Sequence, residues 1–379
     1  MIEEGLLPAS HFGARKKRSA QEALLILQEH IYNAWRSKKI LSLISFDVKG
    51  AYNGVCKDRL IQRLEARGIP RSLPGWIDVF CSERTASIQV NGYTSTKQEL
   101  LQAGLPQGSP LSPALFFFFN ADLMQYKINS KGGSLAFVDD YGAWVTGPSA
   151  EANRVGTEVI IDRAMKWERR SRATFESSKT AITHFTRTQS RNSSRPYIIK
   201  GELGEPKESA KILGVVMDSQ LRYKQHIAAM ASKGLDAALA LERLHFTTPA
   251  TARRLFAATI APVIDYASTV WGHGCGYKEK ALINRVQRVG AQAIIGAFRT
   301  VSTTVAEAEA SIQSVNQRHG KKGNQTVDHI ATLPKTNPIT RINTRSLRRF
   351  ISLLQKFASR HQDQPTDKVE TIELFIIPP

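Results

Sequence analysis

The chain's 379 residues are 42% hydrophobic, enough to bury a real core spread over two or three subdomains, which excludes disorder throughout. Lys and Arg outnumber Asp and Glu by 52 to 33, a formal charge of +19; this is the electrostatic footprint of a nucleic-acid binder, although a soluble protein with a basic surface carries the same balance. The three cysteines, Cys56, Cys81 and Cys275, include no Cys-x-x-Cys pair, so they build neither a zinc knuckle nor a disulfide framework and read as ordinary thiols of a reducing compartment. Met1 to Pro8 lacks the basic region and long apolar run of a signal peptide, and Ala114–Phe119 is too short to span a bilayer; the expectation is a soluble, intracellular protein with no membrane partner.

A basic loop, Arg15 to Arg18, precedes Ser19 and Glu22, a spacing that predicts a capping box opening a helix whose stripe is Leu24, Leu27, Ile31 and Trp35. Leu41–Val48 reads as a buried strand delivering Asp47 at its end. Helices are expected over Lys57–Gly68 and around Trp76–Cys81, the latter bounded by Pro70 and Pro74. Asn91-Gly92 predicts a hairpin joining Ala86–Val90 to Tyr93–Leu100. A turn-rich stretch, Gly104 to Pro113, leads into an apolar helix over Ala114–Met124, with its prolines ahead of the helix. Ser134–Val138 and Tyr141–Val145 form the arms of a hairpin around Asp139-Asp140, and Glu151–Arg170 is helical. Ser171–Arg195 is basic strand or loop, and Ile212–Val216 is a short strand. Beyond Leu221 apolar residues recur at helical spacing, so the chain is α+β to about residue 218 and mainly α after it. Gln313–Gln325 reads as linker or disorder and Arg341–Arg360 as a basic amphipathic helix.

Three acids stand out. Hard divalent cations take oxygen ligands, and Asp47 at a strand end with Asp139 and Asp140 at a hairpin turn would supply them if the two strands are neighbours. Each piece alone is ordinary, since Asp-Asp in a turn is common.

Order and spacing make the difference. Phe46-Asp47-Val48-Lys49-Gly50-Ala51-Tyr52-Asn53, then Gly104-Leu-Pro-Gln107-Gly108-Ser109-Pro110-Leu-Ser-Pro113, then Phe137-Val138-Asp139-Asp140 resemble motifs A, B and C of reverse transcriptases in their usual order, with the Gly-Ala-Tyr-Asn context similar to the non-LTR retrotransposon group. The resemblance runs from about Phe12 to Arg299. It implies a right-hand polymerase fold of class α+β: partial fingers over 1–40, a palm with inserted helices and a hairpin over 41–218, a helical thumb over 219–300, and a poorly matched basic linker and helix over 301–379.

The same resemblance implies RNA-directed DNA polymerase activity, with an RNA template, a DNA primer and dNTPs as partners, and two Mg2+ ions, replaceable by Mn2+, as cofactors. Asp47 and Asp139 would be metal ligands with the Val48 carbonyl beside them, and Asp140 a weaker carboxylate. Tyr52 matches the steric gate under the sugar; the plain alternative is a buried aromatic. Gln107, Gly108, Ser109 and Pro110 would lie against the incoming nucleotide, where small residues let the backbone approach. Lys179 matches a lysine that protonates the pyrophosphate leaving group, against the alternative of a surface lysine. Leu213 and Gly214 resemble the primer grip.

The family's fingers carry a triphosphate-holding arginine on a segment upstream of Gly5, so a truncated fingers end is expected here, with Arg15 and Arg18 as partial substitutes. Neither an endonuclease nor a ribonuclease H carboxylate set is legible. By resemblance the location is the nucleus or a cytoplasmic ribonucleoprotein. A catalytically inactive RNA-binding protein of maturase type and a retrotransposon relic remain as alternative readings.

Overall fold

The computed structural model describes residues 7–100, 104–125, 132–244, 247–341 and 354–356. The chain divides into two compact units: unit 1 is Met1–Ala23 with Asn33–Leu213, and unit 2 is Leu24–Tyr32 with Gly214–Pro379. Helix α1 (Ala20–Arg36) contributes to both, and its N-cap is the expected one, the Ser19 side chain accepting from the Glu22 N–H.

Unit 1 is built on a four-stranded antiparallel sheet in the order β6-β7-β1-β8, where β1 is Ile40–Asp47, β6 Gly132–Phe137, β7 Asp140–Gly147 and β8 Ala181–Phe185. Strand β1 is central, paired on both edges, which is why Ile40–Ile44 is buried without alternation. Helices α2 (Lys57–Ala66) and α3 (Ser72–Cys81) follow, and the expected bounding role of Pro74 is corrected: it lies inside the first turn of α3, where no intrahelical donor is lost. The same holds for Pro113, because helix α4 (Leu111–Gln125) begins earlier than its apolar run.

Four consecutive phenylalanines, Phe116–Phe119, are all buried in α4, as a helix apolar on every side must be. With α5 (Ala150–Ser171), whose Trp167 is fully buried, α4 closes the main core around Phe46, Tyr141 and Phe175. The Asn91-Gly92 hairpin is present as a ribbon of four short strands, β2 (Thr85–Ala86) with β5 (Gln98–Glu99) and β3 (Gln89–Val90) with β4 (Tyr93–Thr94). Strands β9 (Tyr197–Ile199) and β10 (Glu202–Gly204) form a further ribbon, and β11 (Ser209–Ile212) ends the unit.

Unit 2 opens with β12 (Val215–Asp218) and is otherwise helical: α6 (Lys224–Glu242), α7 (Pro249–Leu255), a π-turn at Phe256–Ile260, α8 (Ala261–Asp265), α9 (Ser268–Trp271), α10 (Tyr277–Ile295), α11 (Thr303–Glu309) and α12 (Val315–Ala331). Gly234 lets α6 approach α8 and α10 closely, for a Cβ there would meet Ile264 at 2.6 Å and Val286 at 3.1 Å.

Two expectations are corrected. Ile212–Val216 is not one strand, because Leu213 and Gly214 both take positive φ, 46° and 83°, and break it. Gln313–Gln325 is not a linker: most of it is α12, opened by a capping box between Ser314 and Gln317. The helix expected over Arg341–Arg360 lies outside the described residues except for Arg341, which ends a 3-10 turn begun at Pro338, and a helical fragment at 354–356. No helix among the described residues is long and apolar enough to cross a membrane.

Candidate active site

Pleating decides where the acids point. Phe46 and Tyr141 are register partners that turn into the helix-covered core, so their chain neighbours Asp47 and Asp140, also partners across β1 and β7, face the other side of the sheet. Between β6 and β7 the chain reverses in two residues, Val138 and Asp139, with Phe137 paired to Asp140.

That reversal is strained. Val138 sits at φ 56°, a left-handed conformation that a β-branched residue rarely adopts and that costs roughly 1–3 kcal/mol. The surroundings impose it: the Asn120 side chain donates to the Val138 carbonyl at 2.7 Å, and the Val48 N–H donates to the Asp139 carbonyl at 3.3 Å. Gly13 lies so close that a Cβ on it would meet the Val138 nitrogen at 2.7 Å.

Lys179 is brought to the same place. It ends a short 3-10 turn, Ser177–Lys179, anchored where the Glu176 N–H donates to the Asp47 carbonyl at 2.9 Å, and its ammonium reaches Asp47 Oδ2 at 2.9 Å. Asp47's hydrogen bond, and then its charge, raise the Lys179 pKa. Asp139 is pushed above the usual carboxylate range by desolvation, with Asp47 repelling it and its backbone hydrogen bonds and Lys179 opposing the shift. Asp140 keeps an open face to solvent, yet desolvation of its carboxyl followed by the Asp139 and Asp47 charges pushes it up to about 6. The Asp47 charge thus acts on both Asp139 and Asp140, and that of Asp139 on Asp140, which gathers the three carboxylates at one place.

Tyr52 lies in the turn after β1, edge-on to Phe116 with ring centroids 5.7 Å apart. Burial, and then the Asp139 charge, raise its phenol pKa. Its carbonyl accepts from the Leu105 N–H at 2.8 Å, and the Asn53 carbonyl from the Gly104 N–H at 3.1 Å, so the segment containing Gln107 is stitched to the segment containing Asp47. Gly104 allows this approach, since a Cβ there would meet the Tyr52 carbonyl at 2.5 Å. Gln107 and Gly108 form an exposed turn tip, Gly108 at φ 94°, ahead of Pro110 and the start of α4. Ser109 closes the turn, its hydroxyl accepting from the Leu111 N–H at 3.3 Å.

Residues 2–217 match the family described as reverse transcriptase (RNA-dependent DNA polymerase). The chain belongs to this family. Among curated relatives, this reverse transcriptase chain is 24% identical over 93% of its length to the probable RNA-directed DNA polymerase from transposon X-element of Drosophila melanogaster, covering 40% of that protein. It is 25% identical over 76% of its length to the probable RNA-directed DNA polymerase from transposon BS of the same organism, covering 32% of it. The chain thus spans well under half of these relatives, and the likeness to the non-LTR group, R1 and R2 elements included, holds as the motif context predicts. Among solved structures it is similar to telomerase from Candida tropicalis in complex with a fragment of telomeric RNA, at 12% identity over 96% of this chain and 54% of that one, TM-score 0.39.

The remaining expected site residues are Arg15, Arg18, Leu213 and Gly214. The Arg15 guanidinium donates to the Pro8 and His11 carbonyls at 2.8 and 3.1 Å, and that of Arg18 to the Ala9 carbonyl at 2.8 Å; both are engaged by their own loop. Leu213 and Gly214 lie at the junction of the two units, with Gly214 against the Tyr266 ring. Sequence reasoning missed Asn120, Gly13 and the strain at Val138. Asn120 had a readable signal, being the polar interruption immediately after four phenylalanines.

Reverse transcriptases use divalent metal ions, and the donor chemistry here suits them: hard carboxylate oxygens, with the Asp139 and Asp140 pKa values raised and an ammonium drawn in against Asp47. Among the described residues no three His, Cys, Asp or Glu side chains are grouped so as to hold a metal ion; Asp47 Oδ2 is turned to Lys179 instead.

Proposed function

We propose that this chain is the polymerase portion of a non-LTR RNA-directed DNA polymerase, adding dNMP to the 3′ end of a DNA primer on an RNA template. The observation that carries this reading is the gathering of Asp47, Asp139 and Asp140 at one end of the central sheet in mutual repulsion. A cluster of that kind is stabilised by added positive charge.

Asp47 and Asp139 would hold magnesium, with the Val48 carbonyl next to them and Asp140 assisting. When bound, such ions supply activation of the primer hydroxyl and charge neutralisation on the triphosphate. The chain's own groups do the rest. Lys179, charged and held by Asp47 until dNTP arrives, carries a proton for the departing pyrophosphate. Tyr52, propped edge-on by Phe116, offers a ring face as a floor for the sugar. The Gln107–Gly108 tip is open enough for base and backbone to approach it. Asn120 positions Asp139 through the Val138 carbonyl.

In this reading residues 1–40 serve as partial fingers, 41–218 as palm and 219–300 as thumb, with 301–379 appended. The setting is a ribonucleoprotein in cytoplasm or nucleus. The net charge of +19 supports tracking of a nucleic-acid backbone. Primer extension on an RNA template with dNTPs and magnesium tests the reading, comparing the chain with an Asp139→Ala, Asp140→Ala variant. Extension is expected from the first and none from the second; no extension by a demonstrably folded parent sinks the enzyme reading.

A further inference from the structure

Helix α5 carries its charge unevenly. Its buried stripe, Ile160, Ala164 and Trp167, faces the core. Each of its four acids has a cation or donor of its own: Glu151 pairs with Arg195, Glu158 with Arg154, Asp162 with Lys166, and Glu168 with Lys200 and the Phe175 N–H. Toward the C-terminal end cations outnumber acids, with Arg163, Lys166, Arg169 and Arg170 followed by Arg172. Arg163, Lys166 and Arg170 recur at helical spacing on the outer face, and Lys166, Arg169 and Arg170 are exposed. Among the described residues, these four side chains line a surface hollow of about 430 Å³.

A favourable interaction with the helix dipole accounts for one or two cations in a last turn. It does not account for four cations gathered along one stretch of the helix. Arg63 adds to the field: it lies close enough to Arg170 for their charges to interact, and it donates to Ser171 Oγ at 2.6 Å.

The hollow and the carboxylates lie on opposite sides of the sheet. Trp167 and Phe46 fill the layer between α5 and the sheet, whereas Asp47 and Asp140 face away from that layer. Sheet and helix both stand between the two sites.

We propose that this outer face of α5 is a docking surface for the phosphate backbone of RNA, a second nucleic-acid contact on the side of the sheet opposite the carboxylates. Clustered guanidinium and ammonium groups match the spaced negative charges of a phosphodiester chain. Among the described residues no aromatic side chain lines the hollow, and contacts to phosphate position a nucleic acid without reading its bases. The choice of RNA rests on the polymerase reading, under which a long template extends beyond the few nucleotides being copied.

The test is equilibrium binding of the full chain to a labelled heteropolymeric RNA across a salt series, which needs no incorporation and so separates failure here from failure of the polymerase reading. In a Lys166→Glu, Arg169→Glu, Arg170→Glu variant we expect at least a tenfold weaker Kd at low salt. The slope of log K against log salt should also fall by about 2, as three lost phosphate contacts on a single strand dictate. A Lys38→Glu, Lys97→Glu, Lys278→Glu variant, with the same change in net charge, should lose much less. If charge reversal prevents folding, the corresponding triple Gln variant keeps helix-forming side chains and is read the same way. Equal losses in both sets reduce the effect to bulk charge and overturn the proposal. So does unchanged RNA binding, whether alone or with lost binding to phosphatidylserine vesicles or to an acidic peptide.

Discussion

At one end of the unit 1 sheet three acids crowd together, Asp47, Asp139 and Asp140, with Lys179 bonded to one of them; in unit 2 a single acid, Asp265, is met by Arg318 at 2.8 Å, His319 at 3.1 Å and Lys322 at 3.6 Å. Burial alone would raise the Asp265 pKa, but hydrogen bonds from His319 and Arg318 and the Arg318 and Lys322 charges hold it at about 2. Asp140 is displaced the opposite way, to about 6. Desolvation acts on the acids of both regions. One is saturated and has no further use for a cation; the other is under-compensated and gains stability from one. The sign of the pKa shift therefore separates a structural acid from a candidate catalytic one, where burial alone does not.

Removing the charges should split the two regions most sharply. An Asp139→Asn, Asp140→Asn variant is expected to lose incorporation by on the order of a thousandfold, roughly 4 kcal/mol of barrier, while its Tm holds or rises because repulsion is relieved. A fall of Tm like that of an ordinary core mutant would show these acids to be structural.

Asp265→Ala should behave in reverse. Left with Arg318 buried and unmatched, the chain is expected to lose about 3–5 kcal/mol of stability in a denaturant titration. An unchanged midpoint would mean that the cations relax into solvent at no cost.

Acid sharpens the contrast next. His11 and His184, both almost fully buried in unit 1, have pKa values lowered by desolvation to about 3 and about 4. A lowered histidine pKa means that the unfolded state binds protons first. Their contribution to stability is thus complete above pH ~6.5 and drains away as pH falls toward 4, by up to about 2 kcal/mol each between pH 7 and 5. The contribution of Asp265 is present above the unfolded value near 3.9 and is lost only as pH falls through about 2. Early acid loss of stability should therefore be reduced in a His184→Gln variant, as followed by circular dichroism; equal loss in both proteins refutes the assignment.

Magnesium gives the smallest effect. At ten times its Kd it should stabilise the chain by about 1.4 kcal/mol. The gain should survive Asp265→Ala and vanish in the Asp139→Asn, Asp140→Asn variant; differential scanning fluorimetry distinguishes the two.

The sheet was legible because strands announce themselves by short apolar runs, and the acids because they sit where those runs stop. What escaped was tertiary. The left-handed turn at Val138 is imposed by Asn120, Val48 and Gly13 from three separate segments, and nothing local foretells it. Helix α12 contains Gly320, Gly323 and two asparagines, which argue against a helix on propensity. Yet Ser314 and Gln317 cap it, and Asp265, more than fifty residues earlier, fixes its first turns. The cap was readable; the distant acid was not. Arg15 and Arg18 show the converse, a plausible sequence position whose side chains the loop itself engages.

The division of α1 between the units has a consequence for synthesis. Its Leu24–Tyr32 stretch belongs to unit 2, where the Gln28 side chain donates to the Tyr223 hydroxyl at 2.7 Å across 195 residues of chain and to the Val270 carbonyl at 3.1 Å across 242. A ribosome adding about 5–20 residues per second thus makes the first piece of unit 2 roughly ten to forty seconds before Tyr223 follows. The larger part of unit 1, Asn33–Leu213, is made in that interval. The α1 stripe of Leu24, Leu27 and Ile31 is fully buried in the finished protein but waits uncovered while the sheet assembles, which makes this helix the segment of the nascent chain on which a chaperone has the longest hold.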